Sequence, residues 1–232
     1  MRERFHRQLT KLRDDILKMG SMVEEELHLA LDAFEKLDLV MAQQVFDADK
    51  AVNAARYDIE GKCFTLIVTQ QPAAGDLRSI VAVMNMIVDL ERMGDQTKGI
   101  AKIVRRFHKH GNMANRPTEL GLMGKMVGHM LHDSLTAYAE ENVERARLVV
   151  HQDDEVDKYY AQAFTKIMAQ MAESESPDKV EANYEVLRTA RELERFGDLA
   201  TNIAERVIYL VTGSIHDQNL DQDDILDHYL DH

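Results

Sequence analysis

MGSMVEEELHLALDA, residues 19–33, and MGKMVGHMLHDSLTA, residues 123–137, lie over one another at an offset of 104, sharing Met, Gly, Met, Val, Leu, His, Leu and Ala in register. The register continues through Val45/Val149, Asp49/Asp153 and Val52/Val156. It then shifts by one residue, so that LERMGD (90–95) falls on LERFGD (193–198). Such self-similarity marks an internal duplication, and whatever one half folds into, the other half should repeat.

Pro72, Pro117 and Pro177 each stand in a polar or small-residue stretch between long runs of helix formers, where proline ends a helix without harming it. No stretch alternates apolar and polar residues with the period of a strand. The spacing predicts helices over 5–37, 40–69, 76–109, 118–140, 142–174 and 179–212, three to a repeat. Helices of that length point to elongated bundles. The expected fold is therefore all-α: two pseudo-symmetric three-helix bundles, spanning 1–112 and 113–213. Gly111-Asn112 and Gly213 supply helix stops at matching places. The remaining residues, 214–232, form an acidic tail with a weak apolar rhythm at Ile225, Leu226 and Leu230.

Lys and Arg number 28 against 41 Asp and Glu, a net charge of −13 over 232 residues, which disfavours nucleic acid and anionic lipid and favours cations or basic partner surfaces. One cysteine, Cys63, cannot form an internal disulfide, which suits a cytoplasmic setting. The first residues lack the apolar core of a signal peptide, and no run approaches the ~20 apolar residues of a spanning helix. Contact with a membrane is expected only through partners.

Residues four apart on a helix differ in direction by about 40°. Glu91 and Asp95 therefore share a face, as do Glu194 and Asp198, and the second stripe continues through Asn202 and Glu205. The middle helix of each repeat offers a second set, Asp49 with Asn53 and Asp153 with Asp157. Oxygen donors at this spacing on two neighbouring helices suit a hard or borderline cation, since one helix cannot surround an ion. Acidic residues spaced by four are also common on solvated helix faces, and duplication alone accounts for their recurrence. The copies differ: where repeat 2 has Thr201, Asn202 and Glu205, repeat 1 has Lys98, Gly99 and Lys102. Those lysines are placed to neutralise Asp95 and Glu91 without an ion, so repeat 1 is either a weaker metal site or a salt-bridged face.

Gly94 and Gly197, inside helices at a cost of about 1 kcal/mol each relative to alanine, imply close approach of another helix or a ligand. Arg92 and Arg195 point about 100° from the acids and are expected to pair with another helix or a partner. His28 and His132 occupy equivalent positions. Glu25-x-x-His28 has the spacing of a di-iron bundle motif, but His129 replaces the glutamate in the second copy. A carboxylate-bridged di-iron enzyme is thus one rival to a metal-binding regulator, and a purely structural dimerisation bundle is another. No phosphate-cradling glycine loop, H-E-x-x-H or nucleophile elbow is present.

The sequence resembles the PhoU family, regulators of bacterial phosphate uptake, over residues 1 to about 213. The resemblance is carried by MVEEELHLALDAF, the D-x-x-V-N of Asp49 to Asn53, QPAAGDLRSI (71–80) with DLERMGD, and ELERFGDLATNIAE. It implies two three-helix bundles and no catalytic step. It also implies metal ions (iron, zinc, manganese or magnesium) at Glu91 and Asp95 and at Glu194 and Asp198. The partners implied are the phosphate ABC transporter ATPase subunit and the phosphate-sensing histidine kinase, with restraint of uptake and of the phosphate regulon when phosphate is plentiful; a homodimer is also expected. Gly99, standing where the second copy has Asn202, departs from the fuller motif and leaves the first site incomplete.

Overall fold

A computed structural model describes residues 2–110 and 115–213 of the chain. Within them run α1 (Arg2–Lys36), α2 (Leu39–Gln70), α3 (Ala74–His110), α4 (Thr118–Glu140), α5 (Val143–Ala172) and α6 (Pro177–Thr212), with no strand among the described residues. Each expected helix is present, displaced at its ends by a turn or less. Pro177 opens α6 where a break was expected to precede it, because proline at a first helical position loses only a donor that has no intrahelical partner. The Gly111-Asn112 stop, the boundary between 112 and 113, and the acidic tail lie outside the described residues.

The duplication extends to the turns. Leu37 and Glu141 both take the left-handed conformation, with φ of 52° and 53°. Each is followed by a capping residue, Asp38 accepting from the amides of Val40 and Met41 and Asn142 accepting from that of Arg145. An ion pair across the first two helices also repeats: Lys62 with Asp15 at 2.7 Å, and Lys166 with Glu119 at 2.5 Å.

Within each repeat all three helices pack on one another, and the bundles join through α1 on α4 and α3 on α6. Both inter-repeat pairs run antiparallel. Gly99 sits at Glu192 and Arg106 bonds Glu185 across α3 and α6, while Gly20 sits under Leu135 and Gly124 under Leu31 across α1 and α4. The α1–α4 crossing explains the glycine shared by MGSM and MGKM. A Cβ on Gly124 would stand 3.0 Å from Leu31, and one on Gly20 would press further into Leu135. The two contacts are reciprocal, each repeat inserting a leucine into the other's glycine notch, as an internal two-fold requires. Met19, Val23, Leu27, Met123, Val127 and Leu131 lie fully buried beside them, so the stretch that reveals the duplication also builds the seam joining its halves.

Candidate metal centre

In repeat 2, α5 presents Asp153 and Asp157 toward Glu194 and Asp198 on α6. These are the two sets of carboxylates expected from the sequence, and the fold brings them together. Burial, followed by the charges of Asp198 and Asp157, pushes the Asp153 carboxyl up to about 6. Glu194 is raised by burial and by Asp198 and Asp157 against the opposing charges of Arg191 and Arg195, Asp198 by burial and by Asp157 against Arg195, and Asp157 by burial and by Asp154. Asp153 and Glu194 are half-buried while Asp157 and Asp198 are exposed, so the acids meet at the bundle surface, close enough for like charges to raise their neighbours. None of the four forms an ion pair among the described residues. Asp153 Oδ1 lies 3.6 Å from the position a Cβ on Gly197 would take, and Val127 packs at 3.4 Å on the same spot. The glycine therefore gives clearance both to a neighbouring helix and to a carboxylate. Half-buried Asn202 follows one turn along α6, and the buried hydroxyl of Thr201 lies beside Asp153, where it offsets part of that carboxyl's rise.

Repeat 1 carries the same frame with a different content. Asp49 is buried on α2 and accepts from the Asn53 amide at 3.1 Å and the Lys98 ammonium at 2.8 Å, both on Oδ2. Lys98 also bonds Asp95 Oδ1 at 2.6 Å, so one ammonium spans α2 and α3. Burial works against that charge, but its bonds to Asp49 and Asp95 outweigh the penalty and raise its pKa. Lys102, expected beside Glu91, instead sets its charge against Glu192 of the other repeat. Glu91 is half-buried and has no lysine partner among the described residues.

A residue outside the expected acidic pairs completes this cluster. Glu26 on α1 is 1 % exposed, and its Oε1 accepts from the hydroxyl of Thr97. Burial, reinforced by the charge of Asp49, pushes its carboxyl up to about 8. Its second oxygen has no partner and lies 3.3 Å from where a Cβ on Gly94 would sit, while the free Oδ1 of Asp49 lies 3.6 Å from that point. Gly94 is therefore the space between two buried carboxyls. The sequence does carry a signal for it: Met19, Val23, Glu26, Ala30 and Ala33 follow the four-three spacing of a buried face, with Glu26 where repeat 2 has Met130.

No three Asp, Glu, His or Cys side chains among the described residues stand close enough to grip an ion as they are placed.

The other singled-out residues lie elsewhere. Glu25 and His28 are both exposed, so that motif does not converge in a bundle interior as a di-iron centre needs. With His129 and His132 they line a groove of about 1200 Å³ between α1 and α4, floored by Leu27, Leu31 and Leu120, where His132 Nδ1 lies 3.2 Å from Glu24. Arg92 and Arg195 are exposed, and their charges act within their own helices rather than across to another helix, Arg92 on Asp89 and Arg195 on Glu192, Glu194 and Asp198.

Two three-helix bundles related by an internal two-fold, each gathering carboxylates where its second and third helices meet, place the chain among the duplicated all-α bundle proteins. Within that class it belongs to the PhoU family: the model of the PhoU domain matches residues 16–104 and again residues 120–207. The chain is 38 % identical over 221 residues to the phosphate-specific transport system accessory protein PhoU homolog of Clostridium acetobutylicum, covering 94 % of this chain and 99 % of that one. It is 35 % identical to the Streptococcus pneumoniae homolog of the same name, over 94 % and 100 % of the two chains. The crystal structure of the phosphate transport system regulatory protein PhoU from S. pneumoniae superposes with a TM-score of 0.84 at 33 % identity, covering 92 % of this chain and 99 % of that one. PhoU from Pseudomonas aeruginosa gives 0.85 at 33 % identity, over 90 % and 100 %. No helix among the described residues is long and apolar enough to cross a membrane.

Proposed function

We propose that this protein is a cytoplasmic, non-catalytic regulator of phosphate uptake that binds a divalent or trivalent cation at its repeat 2 carboxylates. It acts as a homodimer through contacts with the ATPase subunit of a phosphate ABC transporter and with a phosphate-sensing histidine kinase. Its effect is to restrain uptake and regulon expression when phosphate is plentiful. The regulatory role is supported by family membership along almost the whole chain and by relatives described as accessory proteins of phosphate-specific transport.

The observation that carries the metal assignment is the set of four acids, Asp153, Asp157, Glu194 and Asp198, all shifted upward and none in an ion pair among the described residues, with only the more distant charges of Arg191 and Arg195 easing Glu194 and that of Arg195 easing Asp198. All-oxygen donors of this kind, with Asn202 adding an amide oxygen, fit magnesium, manganese or iron, and carboxylates also serve zinc. Once bound, a cation supplies local positive charge and ties α5 to α6, changing both the charge and the stiffness of that face.

Elemental analysis of protein purified without a metal-affinity tag tests the site. Metal should accompany the wild type and be lost from Glu194→Ala/Asp198→Ala; equal content in both refutes the assignment. A phosphate-starvation reporter in a deletion strain tests the regulation. Output in high phosphate should rise on deletion and fall again on complementation, and an unchanged output refutes it.

A further inference from the structure

We propose that the repeat 1 counterpart of this site carries its own cation, the ammonium of Lys98, and takes no metal ion. The proposal rests on reading repeat 2 as a cation site.

Lys98 stands where repeat 2 has Thr201, and its Nζ lies 2.8 Å from Asp49 and 2.6 Å from Asp95. The counterparts of those acids, Asp153 and Asp198, have no lysine between them, Thr201 standing at the Lys98 position, and the charge of Asp198 raises Asp153. The ammonium thus occupies the place between the second and third helices that a metal would take in the other half. A second substitution acts in the same direction. Asn53 replaces Asp157, removing one negative charge and turning an amide donor onto Asp49 Oδ2. Repeat 2 sets four carboxylates at its site, Asp153, Asp157, Glu194 and Asp198, whereas repeat 1 sets three, Asp49, Glu91 and Asp95, with one ammonium, beside the buried Glu26 that adds no charge while it holds its proton. The formal charge goes from minus four to minus two, the change that one bound divalent cation would make. Repeat 1 thereby resembles a permanently loaded copy of repeat 2.

The lysine is also held in place. Its side chain is 21 % exposed and makes two ion pairs from different helices, so a metal bridging Asp49 Oδ2 and Asp95 Oδ1 must break both and expel the ammonium. Gly99 offers no ligand in compensation where repeat 2 has Asn202. A Cβ there would stand 2.7 Å from the Glu192 carboxyl carbon, so the position is given over to packing of α3 on α6.

The consequence is one-sided regulation. Metal loading changes the charge and rigidity of the α5–α6 face alone and leaves the α2–α3 face as it was.

The test is Mn²⁺ binding by full-length, chelator-stripped protein, followed by electron paramagnetic resonance and titration calorimetry. Glu194→Ala/Asp198→Ala should lose all site-bound Mn²⁺. Adding Asn53→Asp/Lys98→Thr to that background, which gives repeat 1 the repeat 2 residues, should restore a site at least tenfold tighter than the background. Lys98→Met, which keeps an apolar stem and removes only the charge, supplies a second gain-of-binding variant, with helical circular dichroism confirming the fold of each. Two results overturn the proposal: Mn²⁺ retained by the Glu194→Ala/Asp198→Ala protein and removed by Asp49→Ala/Asp95→Ala, or no gain in either Lys98 variant. A wild type that binds no Mn²⁺, with a gain on replacing Lys98, refutes the repeat 2 site and upholds the block in repeat 1.

Discussion

Asp153→Asn should stabilise the metal-free protein at neutral pH. Burial and its carboxylate neighbours raise Asp153 from 3.8 to about 6, and each tenfold gain in proton affinity corresponds to about 1.4 kcal/mol, giving a ceiling of about 3 kcal/mol. Residual solvation and rearrangement of the neighbouring acids reduce this to about 1–2 kcal/mol, or about 3–6 °C in Tm for a chain of this size. The sign follows from the direction in which the pKa moves. The folded state holds this proton more tightly than the unfolded chain, so the stability present below about pH 4 is lost as pH rises through about 6. In chelator, the Tm difference between variant and wild type should be largest near pH 7.5, about half as large at pH 5, and closed below about pH 4. Because salt-bridged acids elsewhere titrate alike in both proteins, the difference between them is the quantity to follow by differential scanning calorimetry. Manganese at about 100 times Kd should raise the wild-type Tm at pH 7.5, by about 2.7 kcal/mol of stability, and affect the variant less. A variant no more stable than wild type in chelator at pH 7.5, or a difference independent of pH, would refute the crowding of uncompensated carboxylates.

Glu26→Gln should stabilise the protein at neutral pH, since glutamine keeps an oxygen for Thr97 and spares the chain the proton that its buried carboxyl takes up on folding above about pH 4.5. The wild type should lose stability as pH rises through about 8 and its buried carboxyl ionises, while the variant does not, a divergence that thermal melts at pH 7 and pH 9 will show. Gly20→Ala should cost about 1–3 kcal/mol by overpacking against Leu135 at the α1–α4 crossing. Adding Leu135→Val should recover part of that loss in chemical denaturation; independent, additive effects of the two changes would count against the knob-and-notch seam.

How much of the fold and site is legible in the sequence depends on distance along the chain. The duplication, the six helices and the pairing of acids within each helix are local or periodic properties, and the structure reproduces them. Lys98 is legible as a neighbour of Asp95 one turn away. Its second bond, to Asp49 on another helix, depends on how α2 packs on α3, which no spacing encodes. Gly99 reads as a missing ligand, whereas its surroundings show an absence of side chain that makes room for Glu192 from the other repeat. Lys102 departs from expectation for the same reason: its charge looks across the inter-repeat seam. Glu26 is different. Its place on a buried helical face is visible in the spacing, but its counterpart is Met130, so comparing the two copies for shared acids cannot reveal it.

Duplicated folds invite attention to what is repeated, but the function proposed here rests on what is not. The frame common to both halves, with its glycine notches, capped turns and Lys62–Asp15 and Lys166–Glu119 pairs, holds two equivalent clefts in equivalent places. Electrostatics then treats the clefts oppositely. In one, an ammonium covalently tied to α3 neutralises the acids at an effective concentration that no free ion matches, so its charge is independent of metal supply. In the other, four acids have no ammonium among them and only Arg191 and Arg195 of their own helix to offset them, so on the proposed reading their charge depends on what the surroundings provide. A protein with two responsive clefts would report metal through both faces together. With one cleft fixed by Lys98, the difference between its faces becomes the variable, and that difference vanishes when a divalent ion fills repeat 2. A partner gripping both α2–α3 and α5–α6 would therefore meet a symmetric surface only in the loaded state. Exchanging Lys98 and Thr201 between the repeats should transfer the metal-dependent change in partner affinity from one face to the other, measured by calorimetry with and without Mn²⁺; a swap that leaves the responsive face where it was would refute this account.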